Sequence, residues 1–114
     1  MIEIEYYRKE NGSCPFEEFV DGLPEKVQYR IMESVDTLAE GGPLLREPLS
    51  KPVGDGLFEL RIISGRYASR VLYFFVYGGR AVITNGFLKK SQKTPRTELQ
   101  RARRYRKDWM VRYG

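Results

Sequence analysis

The sequence predicts an α+β fold, an antiparallel sheet covered by an N-terminal helical hairpin and a C-terminal helix in the order β-α-α-β-β-β-α. Three observations carry that prediction. Ile2, Ile4 and Tyr6 alternate with Glu3, Glu5 and Tyr7, and Phe58, Leu60 and Ile62 alternate with Glu59, Arg61 and Ile63, the period of a strand. Val27, Ile31, Val35 and Leu38 recur at helical spacing. Gly78-Gly79 joins two apolar stretches as a tight hairpin turn does. With 114 residues and 41% hydrophobic content, the chain suits one domain over residues 1–114.

The elements follow in order. After the first strand, Asn11-Gly12-Ser13 reads as a turn, and Pro15 opens a short helix where its missing N–H costs nothing. Phe16, Phe19 and Val20 share one face of that helix, and Asp21-Gly22 breaks it. Pro24 opens the second helix, which Gly41-Gly42-Pro43 ends. Residues 44–56, with Glu47-Pro48, Lys51-Pro52 and Gly54-Asp55-Gly56, read as a loop. Strands over 57–64, 69–77 and 80–87 then form a meander, the middle one apolar on both faces except for Arg70. Thr94 is placed to cap, and Pro95 to start, a last helix with Leu99, Ala102, Tyr105 and Trp109 inward. Its Arg101, Arg103, Arg104 and Lys107 point outward.

Composition narrows the function. The longest apolar run, Val71–Tyr77, has seven residues, too few to span a bilayer, and the acidic start is not a signal peptide. A single cysteine, Cys14, excludes a disulfide framework and fits a reducing cytosol. Without histidine, Cys-His and Ser-His-Asp catalysis are excluded, and zinc could be held only by carboxylates. The expectation is a cytoplasmic domain with no metal, no cofactor and no membrane contact.

Charge points to the partner. The net +5 divides into −6 over residues 1–57 and +11 over residues 58–114. Cations gathered on one part of a compact domain are the footprint of a phosphate or nucleic-acid partner. In an antiparallel meander Arg61, Arg66, Arg70 and Lys89/Lys90 fall at one end of the sheet. Such a cluster suits a phosphate whose charge rises in a transition state. A lone strand arginine is more often a surface ion pair, and Glu59 stands two residues from Arg61 on the same face. Arg70, at the start of an apolar strand, calls for a carboxylate partner or a cleft. Tyr67, in a turn, is placed to stack a base; Tyr73 and Phe87 read as core.

The segments Gly56-Leu57-Phe58-Glu59-Leu60-Arg61-Ile62, Ser69-Arg70-Val71-Leu72-Tyr73-Phe74 and Gly86-Phe87-Leu88-Lys89-Lys90-Ser91-Gln92-Lys93-Thr94-Pro95, followed by Glu98 and Ala102, resemble the RelE/ParE toxin superfamily. The nearest likeness is to its HigB-like, phage-derived branch. The resemblance implies a RelE-like domain and the toxin of a type II toxin–antitoxin pair, held inactive by a helix-turn-helix, HigA-like antitoxin. Operator DNA would be met only through that complex. It further implies a ribosome-dependent endoribonuclease that cuts A-site mRNA, with the ribose 2′-OH as nucleophile and no metal.

Carried over by position, Arg61 and Arg70 fall where the family places phosphate-binding cations, and Lys89 and Lys90 near its basic post-strand site. Glu47 resembles the place of a carboxylate general base in the YoeB branch. Arg66, Tyr67, Lys93, Arg96 and Arg103 are the expected RNA contacts. The chain departs from the family in three ways. Glu59 stands where RelE has lysine, Leu99 stands nearest the acting C-terminal tyrosine of RelE, and the histidines of some HigB and YoeB proteins are missing. The base is therefore open between Glu47, Glu59, Tyr67 and a lysine, and a carboxylate among arginines is a weak base. On the same scaffold a ParE-like inhibitor of DNA gyrase, or a non-catalytic basic module binding RNA or protein, are the other readings.

Overall fold

The structure, a computed structural model, describes residues 1–90 and 93–114. Its elements are β1 (Glu3–Tyr6), α1 (Pro15–Asp21), α2 (Glu25–Gly41), β2 (Ser50–Gly54), β3 (Leu57–Ser64), β4 (Tyr67–Val76), β5 (Arg80–Leu88) and α3 (Arg96–Tyr113), with a 3-10 turn at Gly42–Leu44 after α2. The five strands form one sheet in the order β1-β5-β4-β3-β2. The helical hairpin lies on one face and α3 on the other.

The α+β class and the expected helices are observed, with two differences in the sheet. First, it is mixed, because β1 runs parallel to β5, with Ile4 beside Ala81. A strand joined to the sheet only through a long helical connection has no tight turn to fix its direction. Second, part of the segment read as a loop is a strand: Ser50, Lys51 and Pro52 pair with Leu60, Glu59 and Phe58. Pro52 masked it, since proline disfavours a strand reading yet is tolerated at a sheet edge. Asp55 and Gly56, with φ of 54° and 76°, close the β2–β3 turn in the left-handed conformation that Asp-Gly turns favour.

The hairpin face is the larger apolar core. The predicted stripe Val27, Ile31, Val35 and Leu38 is wholly buried against Leu60, Ile62, Val71, Tyr73, Ala81 and Ile83. Each buried aliphatic side chain of that size contributes roughly 1.5–3 kcal/mol. Phe19 of α1 lies so close to Gly86 that any side chain at 86 would collide with its ring.

On the opposite face, Leu72, Phe74, Val82 and Phe87 meet Ala102, Tyr105 and Trp109 of α3. The inward residues of that helix were legible in its sequence. Its start was not: Pro95 occupies the N-cap position and offers no side-chain cap. The Thr94 hydroxyl, expected in that role, donates to Glu59 instead. A charged acceptor gives the stronger bond.

A β-bulge decides which residues of β5 reach the α3 side. Leu72 lies opposite Asn85 and Tyr73 opposite Ile83, so Thr84 is an extra residue. Its hydroxyl donates to the Leu72 carbonyl at 3.1 Å. Ile83 before the bulge joins the hairpin core, and Phe87 beyond it joins the α3 core. The extra residue thereby turns Asn85, Phe87 and Lys89 toward α3.

Candidate functional site

The meander register brings the two predicted arginines together. Arg61 pairs with Arg70, and Arg70 with Phe87, in one row across β3, β4 and β5. Two cations facing each other need an anion between them, and Glu59 supplies it. Its Oε1 accepts from Arg70 Nε at 3.1 Å and from Arg61 Nε at 3.3 Å, while Oε2 accepts from Thr94. The Glu59 side chain is 2% exposed, that of Arg70 8% and that of Arg61 25%. Burial, opposed by Glu59 and reinforced by Arg61, lowers the Arg70 guanidinium from its ordinary value. It nonetheless stays charged across the physiological range.

Arg70 is spent within the fold, its Nη1 donating to the Ser69 carbonyl at 3.1 Å. Arg61 reaches further out. With Lys51, Glu59, Lys89, Lys93 and Thr94 it lines a groove of about 310 Å³ between β2 and the start of α3. Glu47, on the loop before β2, is mostly exposed and stands 3.8 Å from Arg61 Nη1. A second hollow, about 320 Å³, opens on the other side of the pair and is lined by Arg30, Ser34, Leu49, Arg61, Ile63 and Arg70.

The remaining candidates are placed elsewhere or at the margin. Lys89 joins the groove, its backbone N–H bonded to Ala68 O at 2.7 Å. Lys90 follows it and is exposed. Arg66 lies in the β3–β4 turn with its guanidinium over the Tyr67 ring at 5.5 Å. Tyr67 packs against the hairpin core, on the face opposite Arg70. The strand alternation that buries Val71 and Tyr73 there puts Tyr67 there too. Arg66 and Tyr67 are therefore not among the residues lining the groove. Arg96 is exposed at the first turn of α3. Arg103 is held by Asp55 at 2.7 Å, on the β2–β3 turn. Ser91 and Gln92 of the motif lie outside the described residues.

Among the groove and hollow residues that sequence reasoning missed are Lys51, Arg30 and Thr94. Lys51 was hidden by the loop reading of its strand, Arg30 by its place beside the apolar stripe of α2, and Thr94 by its cap-like position before a helix. Among the described residues no group of three or more His, Cys, Asp or Glu converges as a metal site would require, and no helix is long and apolar enough to cross a membrane.

A family model for phage-derived Gp49-like proteins (DUF891) matches residues 18–107, from α1 into the last turns of α3. The chain belongs to the Gp49-like family. This Gp49-like chain is also 29% identical over 104 residues to "Probable endoribonuclease HigB1" of Mycobacterium tuberculosis strain CDC 1551 / Oshkosh, across 91% of its own length and 81% of the relative's. The same figures hold for the protein of that name in strain ATCC 25618 / H37Rv. Both findings agree with the HigB-like resemblance read from the sequence. The Gp49-like match spans the whole Arg61–Glu59–Arg70–Thr94 constellation.

Proposed function

We propose that this protein is the toxin of a type II toxin–antitoxin pair, an endoribonuclease that cuts mRNA on the translating ribosome. The observation that carries the reading is the buried Glu59 holding two arginines so that Arg61 faces a lysine-lined groove. The likeness to a probable endoribonuclease over most of the chain supports it.

In this reading the groove takes the scissile phosphate. The ribose 2′-oxygen attacks phosphorus and the bond to the 5′-oxygen breaks, leaving a 2′,3′-cyclic phosphate and a 5′-hydroxyl. Charge building on the non-bridging oxygens is met by Arg61 and Lys89, which are already in place when it appears. Arg70 backs Arg61 through their shared carboxylate. Glu59, with both oxygens engaged and almost no exposure, is a positioning group and not the base. The exposed Glu47 carboxylate is the group placed to take the 2′-OH proton, and Lys89 or Lys90 gives one to the leaving oxygen. The ribosome supplies in-line alignment. Lys93 and Arg96 contact RNA beside the groove, and Arg66, Tyr67 and Arg103 contact it further away. A HigA-like helix-turn-helix antitoxin silences the protein in the cytoplasm, and operator DNA is bound through that complex.

The test is reconstituted translation of a defined message with cleavage mapped by primer extension. Wild-type protein is expected to cut within A-site codons only when ribosomes are present. Arg61→Ala is expected to lower the rate about 10²–10³-fold with its fold intact. A message left whole by the wild-type protein overturns the reading and directs attention to gyrase supercoiling assays.

A further inference from the structure

We infer that Thr94 is a positioning residue for Arg61: by occupying one oxygen of Glu59 it makes both arginines share the other, which keeps the outer nitrogens of Arg61 available to a phosphate. The inference rests on the ribonuclease reading above and assigns a role to a hydroxyl that the sequence offers as a helix cap.

The geometry of the carboxylate is the starting point. A buried arginine and glutamate prefer a fork, two parallel N–H···O bonds that use both carboxylate oxygens. That arrangement is absent here. Arg61 and Arg70 each give Glu59 a single Nε–H, and both give it to Oε1. Oε2 is taken by the Thr94 hydroxyl, which reaches across from the segment before α3. Beyond that pair, Arg61 Nη1 has a Glu47 carboxylate oxygen at 3.8 Å, an ion pair longer than a hydrogen bond. Among the described residues the terminal nitrogens that clamp two phosphate oxygens thus make no hydrogen bond, while the side chain is held by its Nε.

Removing the hydroxyl would leave Oε2 buried and unpaired, a costly state for a carboxylate oxygen. The terminal nitrogens of Arg61, whose Nε already bonds the same carboxylate, are placed to relieve it. The carboxylate would turn to meet them, close a fork on Arg61 and draw the guanidinium out of the groove. The device acts through orientation, so its loss should slow the chemical step and leave RNA binding largely unchanged.

The experiment compares wild type, Thr94→Val and Thr94→Ser. Cutting is measured in a single turnover on stalled ribosomes at saturating protein. Binding is measured on the same complex carrying a 2′-deoxy nucleotide at the scissile position. The ¹H–¹⁵N signals of the arginine Nε–H groups are recorded on each free protein, with Arg61 assigned by its loss in Arg61→Lys. Thr94→Val is expected to cut about 10- to 100-fold more slowly, the range a misplaced catalytic group produces. Its affinity for the deoxy complex should stay within about twofold, and its Arg61 Nε–H signal should move; Thr94→Ser should restore all three readouts. A Thr94→Val protein that cuts at the wild-type rate, or that loses affinity and not rate, overturns the inference. So does an unmoved Arg61 signal. Wild-type protein that does not cut at all defeats the ribonuclease reading instead, and the Nε–H signals then decide whether Thr94 sets the arginine geometry.

Discussion

Under the α1–α2 hairpin the sheet is sealed mainly by aliphatic and aromatic side chains, with a buried hydrogen bond between the Ser50 and Tyr73 hydroxyls, whereas under α3 the seal is threaded with polar and charged groups. Glu59 and Arg70, the two charged residues counted as buried among the described residues, both lie on the α3 side. So do the Tyr7 hydroxyl, which donates to Asp108 at 2.6 Å, and the Trp109 indole N–H, which donates to Glu5. Asp108 also receives Arg112 at 2.6 Å, and Asn85 donates to Glu98 at 3.2 Å. Apolar contact is non-directional and sums with area; hydrogen bonds fix angles and are costly to leave unmade. The hairpin face therefore holds the fold together, and the α3 face sets the orientation of the groups that line the groove.

That contrast is open to a graded series of tests. The largest loss of stability is expected from Leu38→Ala, about 3–4 kcal/mol by urea unfolding, because a completely buried leucine leaves a cavity. The protein that remains folded should cut at the wild-type rate per molecule. Glu59→Gln is expected to cost about 3 kcal/mol by leaving Arg70 without its buried counter-charge, and it should abolish cutting in the folded fraction as well. Equal effects of the two substitutions on cutting per folded molecule would erase the distinction between the faces.

A smaller effect, readable against pH, comes from the Tyr7–Asp108–Arg112 group. Burial, with the bond to Asp108, pushes the Tyr7 hydroxyl up to about 12. Because the folded value lies above the unfolded one of about 10, its contribution is whole below pH 10 and is lost as pH rises toward 12. Asp108 is shifted the other way, lowered by the hydrogen bonds from Tyr7 and Arg112. Its contribution is present above the unfolded value of about 3.9 and is lost as pH falls through the depressed one. Tyr7→Phe should therefore melt a few degrees below wild type at pH 7, with the gap closing at pH 11 and narrowing in acid. A gap constant from pH 3 to pH 11 in thermal melts followed by circular dichroism would refute this.

The smallest effect is expected at Arg103, whose exposed pair with Asp55 should be worth no more than about 0.5 kcal/mol. Arg103→Ala is expected to leave unfolding unchanged and to weaken ribosome binding more at low salt than at high salt, as a lost phosphate contact does. Equal binding at all salt concentrations would remove Arg103 from the interface.

What the sequence determined by itself was whatever has a local period. The stripe Val27–Leu38, the central strand apolar on both faces and the inward residues of α3 were legible because a helix or strand repeats its environment every few positions. The row Arg61–Arg70 followed from the meander once its turns were placed. Tertiary structure alone decided the rest. Direction at β1 and pairing at β2 depend on partners that no turn specifies. The role of Thr94 depends on a carboxylate 35 residues away in sequence. A local reading assigns such a hydroxyl to the nearest backbone N–H groups, but in the folded protein a buried, charged acceptor is within reach and forms the stronger bond.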